Sequence, residues 1–416
     1  MRRVSRRAVL WVGFAVVHIG VAVLGWLLPN QPMGDVYLVY EPWSTRAVEG
    51  TGIVGITESW VYPHLALVPM VLAKAMAWLG GYEIAWAVVV TAVDAVAFAV
   101  LVGRGRSSGR WIAAWFWLVF IALLGPVGIY RLEGVTTPLA LAACLWLFGR
   151  PALASVLLTI GMWIKVWPAA LLASAVIAVR RRFAIAGTSI ALSAVILLMV
   201  LAAGAGANAL GFVAGQTDRG LQLEAPVSAY YLWRAVLGYE DSFIYYDRAI
   251  LTFQVTGPSV DIVITAMTPL LAVAVIGVLV LGIVKMWRGA TFAALFPSLG
   301  LATVAAMILF NKVGSPQYLS WIIAPLVFGL VLDRWHWWGP ALLGLGTALL
   351  TQVVYPLTYG ELLVASAFPT VVLTLRNLAI AVLFVWAVVR VARTPTHVRL
   401  KPRAAASAPD LAADGR

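Results

Sequence analysis

Residues 151–179 read PALASVLLTIGMWIKVWPAALLASAVIAV, an apolar run with Arg150 before it and Arg180, Arg181 and Arg182 after it. At about 1.5 Å per residue the run is too long for one ordinary crossing of a hydrocarbon core of about 30 Å. Gly161, Lys165 and Pro168 interrupt it. Basic residues beside membrane spans collect on the cytoplasmic side, so both ends belong there. That predicts two short helices meeting near Lys165. Breaks of this kind are tolerated in a membrane where the freed backbone groups line a cavity or pack against protein.

The rest of the chain agrees with a membrane setting. Of 416 residues 62% are apolar and 11% charged, too few charges to cover a water-soluble protein of this size. AVLWVGFAVVHIGVAVLGWLL (8–28), IVITAMTPLLAVAVIGVLVLGIV (262–284) and ATFAALFPSLGLATVAAMILF (290–310) are each long enough to span. The fold class expected is all-α and polytopic. The first run is long for a signal peptide and has no A-x-A-like end, so it reads as a retained span. The formal net charge of +12 sits in short caps such as RRVSRR and RGRSSGR beside apolar runs. The positive-inside rule explains that placement, and no nucleic-acid partner is expected. The single cysteine, Cys144, lies in an apolar run and reads as a small buried hydrophobe.

Pinning the basic caps to the cytoplasm orders the remaining segments: 8–28, 83–103, 111–125, 137–149, the two halves of 151–179, 183–206, 258–284, 290–310, 318–332, 337–355 and 374–392. This gives about twelve membrane segments with both termini cytoplasmic. Residues 29–81 form a first external loop, in which Pro63, His64, Pro69 and Lys74 suit a helix lying at the interface. Residues 207–257 form a second, rich in Tyr, Trp and charges, and 356–369 includes a short surface helix. Residues 1–396 read as one membrane-embedded domain, and 397–416 as a basic, then disordered, tail. Of the seventeen acids, Asp94 lies within a helix and Asp333, Asp410 and Asp414 are cytoplasmic; the other thirteen fall outside.

A charge kept beside an apolar span needs a partner, a wet cavity or a ligand. Lys165 is either a lysine snorkelling to the interface or a cation facing a phosphate, and Lys312 in FNKVGSPQYLSW has the same two readings. Gln317 and Tyr318 add donors beside Lys312. Asp35 is either a helix-capping or solvated acid, or a general base at the membrane surface, with Glu41, Glu49 and Glu58 as rivals on the same loop. Arg131 and Glu133, two residues apart, read as a helix-end pair or as groups turned into a cleft. Asp218, Arg219 and Glu224 bind a sugar or hold the second loop shut. None of the four histidines has a metal-ligand spacing and no phosphate-binding glycine motif is present, so no metal and no cofactor is expected.

The elements GDVYLVYEPW (34–43), VYPHLALVPM (61–70), WIKVWPAALL (163–172) and NKVGSPQYLSW (311–321) resemble the polyprenyl-phosphate-mannose-dependent mannosyltransferases of actinobacteria, multi-pass glycosyltransferases of the GT-C type. The similarity runs from the first span to the last. The resemblance implies a GT-C fold, a polyprenyl-phosphate-mannose donor entering from the membrane and inverting transfer to a glycolipid or lipoglycan acceptor at the periplasmic face. It implies Asp35 as catalytic base, and Lys165, Lys312 and Gln317 as residues holding the donor phosphate; Arg131 and Arg219, read from their own positions, are further donor-binding candidates. Tyr62 and Pro63 match the pair that opens the interfacial helix; His64 stands where many relatives have a second proline. Tyr62, His64, Glu133 and Glu224 are then the residues lining the acceptor side.

The rival reading is a transporter or flippase of a lipid-linked glycan, which also uses broken helices and intramembrane charge. It needs a route open alternately to both faces, whereas the polar loops of this chain gather on one. A non-catalytic scaffold leaves Lys165 and the acid-bearing loops without a reason.

Overall fold

The computed structural model describes residues 5–215, 219–248 and 250–396. The tail at 397–416 and Asp218 lie outside the described residues. In chain order the helices are α1 (Arg6–Leu27), α2 (Glu41–Glu49), α3 (Leu67–Ala75), α4 (Tyr82–Val102), α5 (Ser108–Leu124), α6 (Glu133–Trp146), α7 (Pro151–Ile164), α8 (Pro168–Ala178) and α9 (Arg182–Ala202). The second long connection carries α10 (Gly211–Ala214), α11 (Ala229–Val236) and the strands β1 (Phe243–Asp247) and β2 (Thr252–Thr256). The chain then continues through α12 (Val260–Trp287), α13 (Phe292–Leu309), α14 (Ile323–Gln352), α15 (Tyr359–Leu363) and α16 (Ala367–Ala392).

Among the described residues, eight helices are long and apolar enough to cross a membrane. The protein is a multi-span, predominantly helical membrane protein. Burial divides the helices into two sets. The most apolar stretch of α13 is 72% buried within the protein, whereas that of α12 is 17% and that of α9 22% buried. A helix apolar all round that lacks protein neighbours turns its surface to lipid, so α9 and α12 are peripheral and α13 is central. The longest candidate, Pro316–Leu357, bends at Asp333, whose φ of −150° and ψ of 72° interrupt the helix.

The 151–179 segment divides as its sequence requires. The helix α7 ends at Ile164, Lys165 is extended (φ −154°, ψ 134°), and Pro168 opens α8, where a missing N–H costs nothing. The first long connection is more ordered than a polar loop. Asn30 and Gln31 adopt left-handed backbone (φ 59° and 51°) and turn the chain into a helical stretch over 34–49 whose first part, Val36–Tyr40, is wound as a wide π turn. Residues 64–75 are helical and too short to span a membrane.

In the second connection β1 and β2 pair antiparallel, Phe243 opposite Thr256 and Asp247 opposite Thr252. This hairpin departs from the all-α expectation, which took 207–257 as loop. The aromatic and β-branched residues of FIYYD and the polar–apolar alternation of TFQVT are the strand signal, and Leu221 and Leu223 add backbone bonds to Val255 and Phe253. The connection is seated on residues 311–317: Gln222 N–H donates to the Lys312 carbonyl at 3.0 Å. A Cβ at Gly314 would lie 2.1 Å from the Ala225 nitrogen, so only glycine permits this backbone approach.

Candidate functional site

Residues 31–35, the start of α6, the Lys165 break and the turn at 316–322 converge on one network. Arg131 is its hub. Its Nη1 donates to the carbonyls of Pro32 (2.9 Å) and Tyr130 (2.8 Å), and its Nη2 donates to the Tyr355 hydroxyl (3.1 Å). Its Nε lies 3.1 Å from Asp35 Oδ2, close enough for an ion pair although the N–H is not aimed as a hydrogen bond. Burial by itself disfavours the guanidinium charge; the Asp35 carboxylate and Tyr355 outweigh it, and the pKa of Arg131 rises above its ordinary value. The cation is thus permanent and fixed. The Asp35 side chain remains 36% exposed, and its carboxylate accepts no hydrogen bond among the described residues, which leaves oxygen lone pairs for a substrate hydroxyl.

Two residues on, Glu133 turns to a different partner. Its Oε1 meets Lys165 Nζ at 2.5 Å and accepts from the Trp321 indole at 3.2 Å. Arg131 and Glu133 are therefore not a pair with each other: each is claimed by a residue from a separate element. Lys165 also stands 5.6 Å from the ring centroids of both Tyr62 and Tyr318, within cation–π reach. Tyr318 stacks on Trp321 (centroids 4.1 Å apart), and Trp321 stacks on Trp167 (5.8 Å, planes at 8°). Trp167 is locked in turn by donating to Thr136 Oγ1 at 3.0 Å. This aromatic wall holds the extended Lys165 backbone between α7 and α8. Burial, then the Asp35 and Glu133 carboxylates, raises the Tyr62 phenol above its usual pKa, so it stays neutral.

A second cluster adjoins the first. Glu224 Oε2 pairs with Arg376 Nη1 at 2.7 Å, and Arg376 Nη2 donates to the Glu224 carbonyl at 2.8 Å, both side chains being buried. Burial raises the Glu224 carboxyl pKa against the opposing pull of Arg376 and, more weakly, Arg131, which puts the two clusters within electrostatic reach. Lys312 is buried at the same junction, and Gln317 is buried with its Oε1 unbonded among the described residues. Arg219 is half-buried and contributes to the field at Tyr62. His64 is turned elsewhere: its Nε2 donates to the Gly55 carbonyl at 2.9 Å, and Trp163 and Phe212 flank it. There it pins the first connection.

The rival acids have other work. Glu41 pairs with Lys74 (3.2 Å) and Glu58 with Arg46 (2.7 Å), while Glu49 is exposed. Asp35 is the acid of that connection attached to the buried network. Sequence reasoning missed Tyr355 and Arg376. For Arg376 the signal was present, a charge inside the apolar run of α16, but a span begun at 374 put it at the surface, whereas the helix starts at Ala367.

The burial of Glu133 changes what a lysine deletion measures. Lys165→Ala alone strands a fully buried carboxylate, and a stability loss of about 3–5 kcal/mol is expected. The paired change Lys165→Met with Glu133→Gln is expected to fold while binding an anionic lipid less tightly by about tenfold or more. Thermal unfolding followed by Trp fluorescence and a lipid-binding titration separate the two effects; unchanged affinity in the folded double variant would make Lys165 a purely structural cation.

The fold and this site together define a helical multi-span membrane protein with a buried ionic network at the end that carries its long connections. Comparison of the chain with family models, with curated proteins and with solved structures gave no match.

Proposed function

We propose that the chain is an inverting polyprenyl-phosphate-sugar-dependent hexosyltransferase, moving mannose from polyprenyl-phosphate-mannose to a glycolipid or envelope-glycan acceptor. On this reading it adopts the GT-C fold with about twelve membrane segments, counting α6, α7, α8 and the two arms of α14 on either side of Asp333. It lies in the cytoplasmic membrane with both termini inside and its site facing the periplasm.

One observation carries the proposal: the Lys165 cation and the wall of an apolar groove come from the same broken segment. Ala169, Leu172, Val176 and Ile177 of α8, with Ile190 of α9 and Ile283 of α12, line an apolar groove of about 400 Å³ that starts one turn beyond the break. An isoprenoid phosphate has that division, an apolar tail ending in an anion. Asp35, tied to Arg131, supplies the other half of the chemistry.

In the reaction, Asp35 takes the proton of an acceptor hydroxyl as its oxygen attacks the anomeric carbon of mannose. The carbon–phosphate oxygen bond breaks on the opposite side, which inverts the configuration. The lipid phosphate leaves as a dianion needing no proton, stabilised by the fixed cations. A retaining mechanism needs a second carboxylate about 5 Å from the first; Glu133, already held by Lys165 and Trp321, is engaged otherwise.

The test is incubation of purified protein with radiolabelled polyprenyl-phosphate-mannose and a panel of envelope acceptors. Label is expected in one acceptor with inverted linkage. Movement of labelled lipid across vesicles without transfer would instead establish a flippase.

A further inference from the structure

Beneath the ion pairs, towards the middle of the helices, a second polar group is buried. His18 of α1 places its Nδ1 2.9 Å from the Phe14 carbonyl and its Nε2 2.9 Å from Asp94 Oδ2 on α4, and both side chains are almost fully buried. A carbonyl only accepts, so Nδ1 carries a hydrogen. The Nε2 to Oδ2 contact also requires one, on either atom. The pair therefore holds one mobile proton, and the transferase chemistry above gives it no task.

A small cavity connects this pair to the site. It offers about 10 Å³ to the centre of a water, room for a single molecule, and Asp94, Glu133, Thr137 and Ser320 are among its lining residues. Glu133 Oε2 and Ser320 Oγ are both buried and have no hydrogen-bond partner among the described residues. Leaving two such groups dry costs about 1–3 kcal/mol each, and a water between polar walls removes that cost. Asp94 and Glu133 are the only titratable residues in the lining.

We propose that this cavity is a water site and that the water, bridging Asp94, Ser320 and Glu133, carries a proton between the His18–Asp94 pair and the carboxylate that holds Lys165. The pair's mobile proton moves from His18 Nε2 to ionised Asp94 and then on to the water, which gives one to Glu133 Oε2. The net change converts imidazolium and glutamate to imidazole and glutamic acid. Protonated Glu133 no longer pairs as an anion with Lys165, and the ammonium is released to an anion entering the site. The groups that face Glu133 and set its charge are Lys165 from the break, the Trp321 indole, Tyr62 and Tyr318 over Lys165, and the Arg131–Asp35 pair two residues earlier.

The proposal does not depend on sugar transfer, and its test uses no substrate. Infrared spectra of the full chain in lipid nanodiscs report protonated carboxyls, and the band lost in Glu133→Gln identifies Glu133. Asp94→Asn is expected to shift the midpoint of that band, because it removes the proton-holding group one water away. Ser320→Val is expected to slow its hydrogen–deuterium exchange by about tenfold, since it removes a ligand of the water. If Asp94→Asn fails to fold, His18→Gln replaces it. An unchanged exchange rate in Ser320→Val overturns the water path even if the midpoint moves, because charge alone shifts a midpoint; an unchanged midpoint overturns the coupling.

Discussion

Asp35→Asn is expected to lower the rate of the proposed mannosyl transfer by about 100- to 10,000-fold, the range a positioned general base supplies, or roughly 3–5 kcal/mol of barrier. The amide keeps the size of the side chain but cannot take a proton. Arg131 loses its counter-charge yet keeps the Pro32, Tyr130 and Tyr355 oxygens as acceptors, so the 31–35 turn should hold its shape. Donor affinity should change little, because the phosphate is assigned to Lys165 and its neighbours. The measurement is single-turnover transfer with purified lipid substrates beside a thermal unfolding curve. Full activity in a folded Asp35→Asn protein would remove Asp35 as the base.

The second large effect is on stability. Arg376→Met is expected to cost about 3–5 kcal/mol, as for breaking one side of a buried ion pair, because the Glu224 carboxylate and carbonyl each lose a guanidinium donor. Burial already favours the neutral form of Glu224. Without Arg376 its folded-state pKa rises further above the unfolded value, so the folded variant binds a proton more tightly than the unfolded chain. The loss should therefore shrink as pH falls through the acid range and deepen towards neutrality. Unfolding midpoints at mildly acidic and neutral pH test the sign, and Glu224→Gln added to Arg376→Met should restore part of the loss. Equal midpoints in wild type and variant would mean that the pair does not seat the second connection.

Several of these elements were legible in the sequence because they follow from local rules. The Lys165 break is written in Gly161, Lys165, Pro168 and the flanking arginines, and the short helix after Pro63 in its prolines and lysine. The pairings were not legible. Arg131 and Glu133 look like partners at a spacing of two, but Asp35 lies almost a hundred residues from one and Lys165 thirty-two from the other, and only helix packing decides which side chains meet. The π turn at Val36–Tyr40 and the hairpin at Phe243–Thr256 were hidden for the opposite reason: short elements rich in aromatics also read as membrane-interface loop. Tyr355 gave no charge to notice, although its hydroxyl closes the shell around Arg131.

The contact at Gly314 has a consequence for how this protein can be altered. Because its backbone runs against Glu224 and Ala225, the connection over 207–257 and the short turn over 311–317 form one module divided between two distant stretches of gene. A chimaera that imports one stretch from a differently built homologue must import the other, or a side chain will arrive where two main chains already touch.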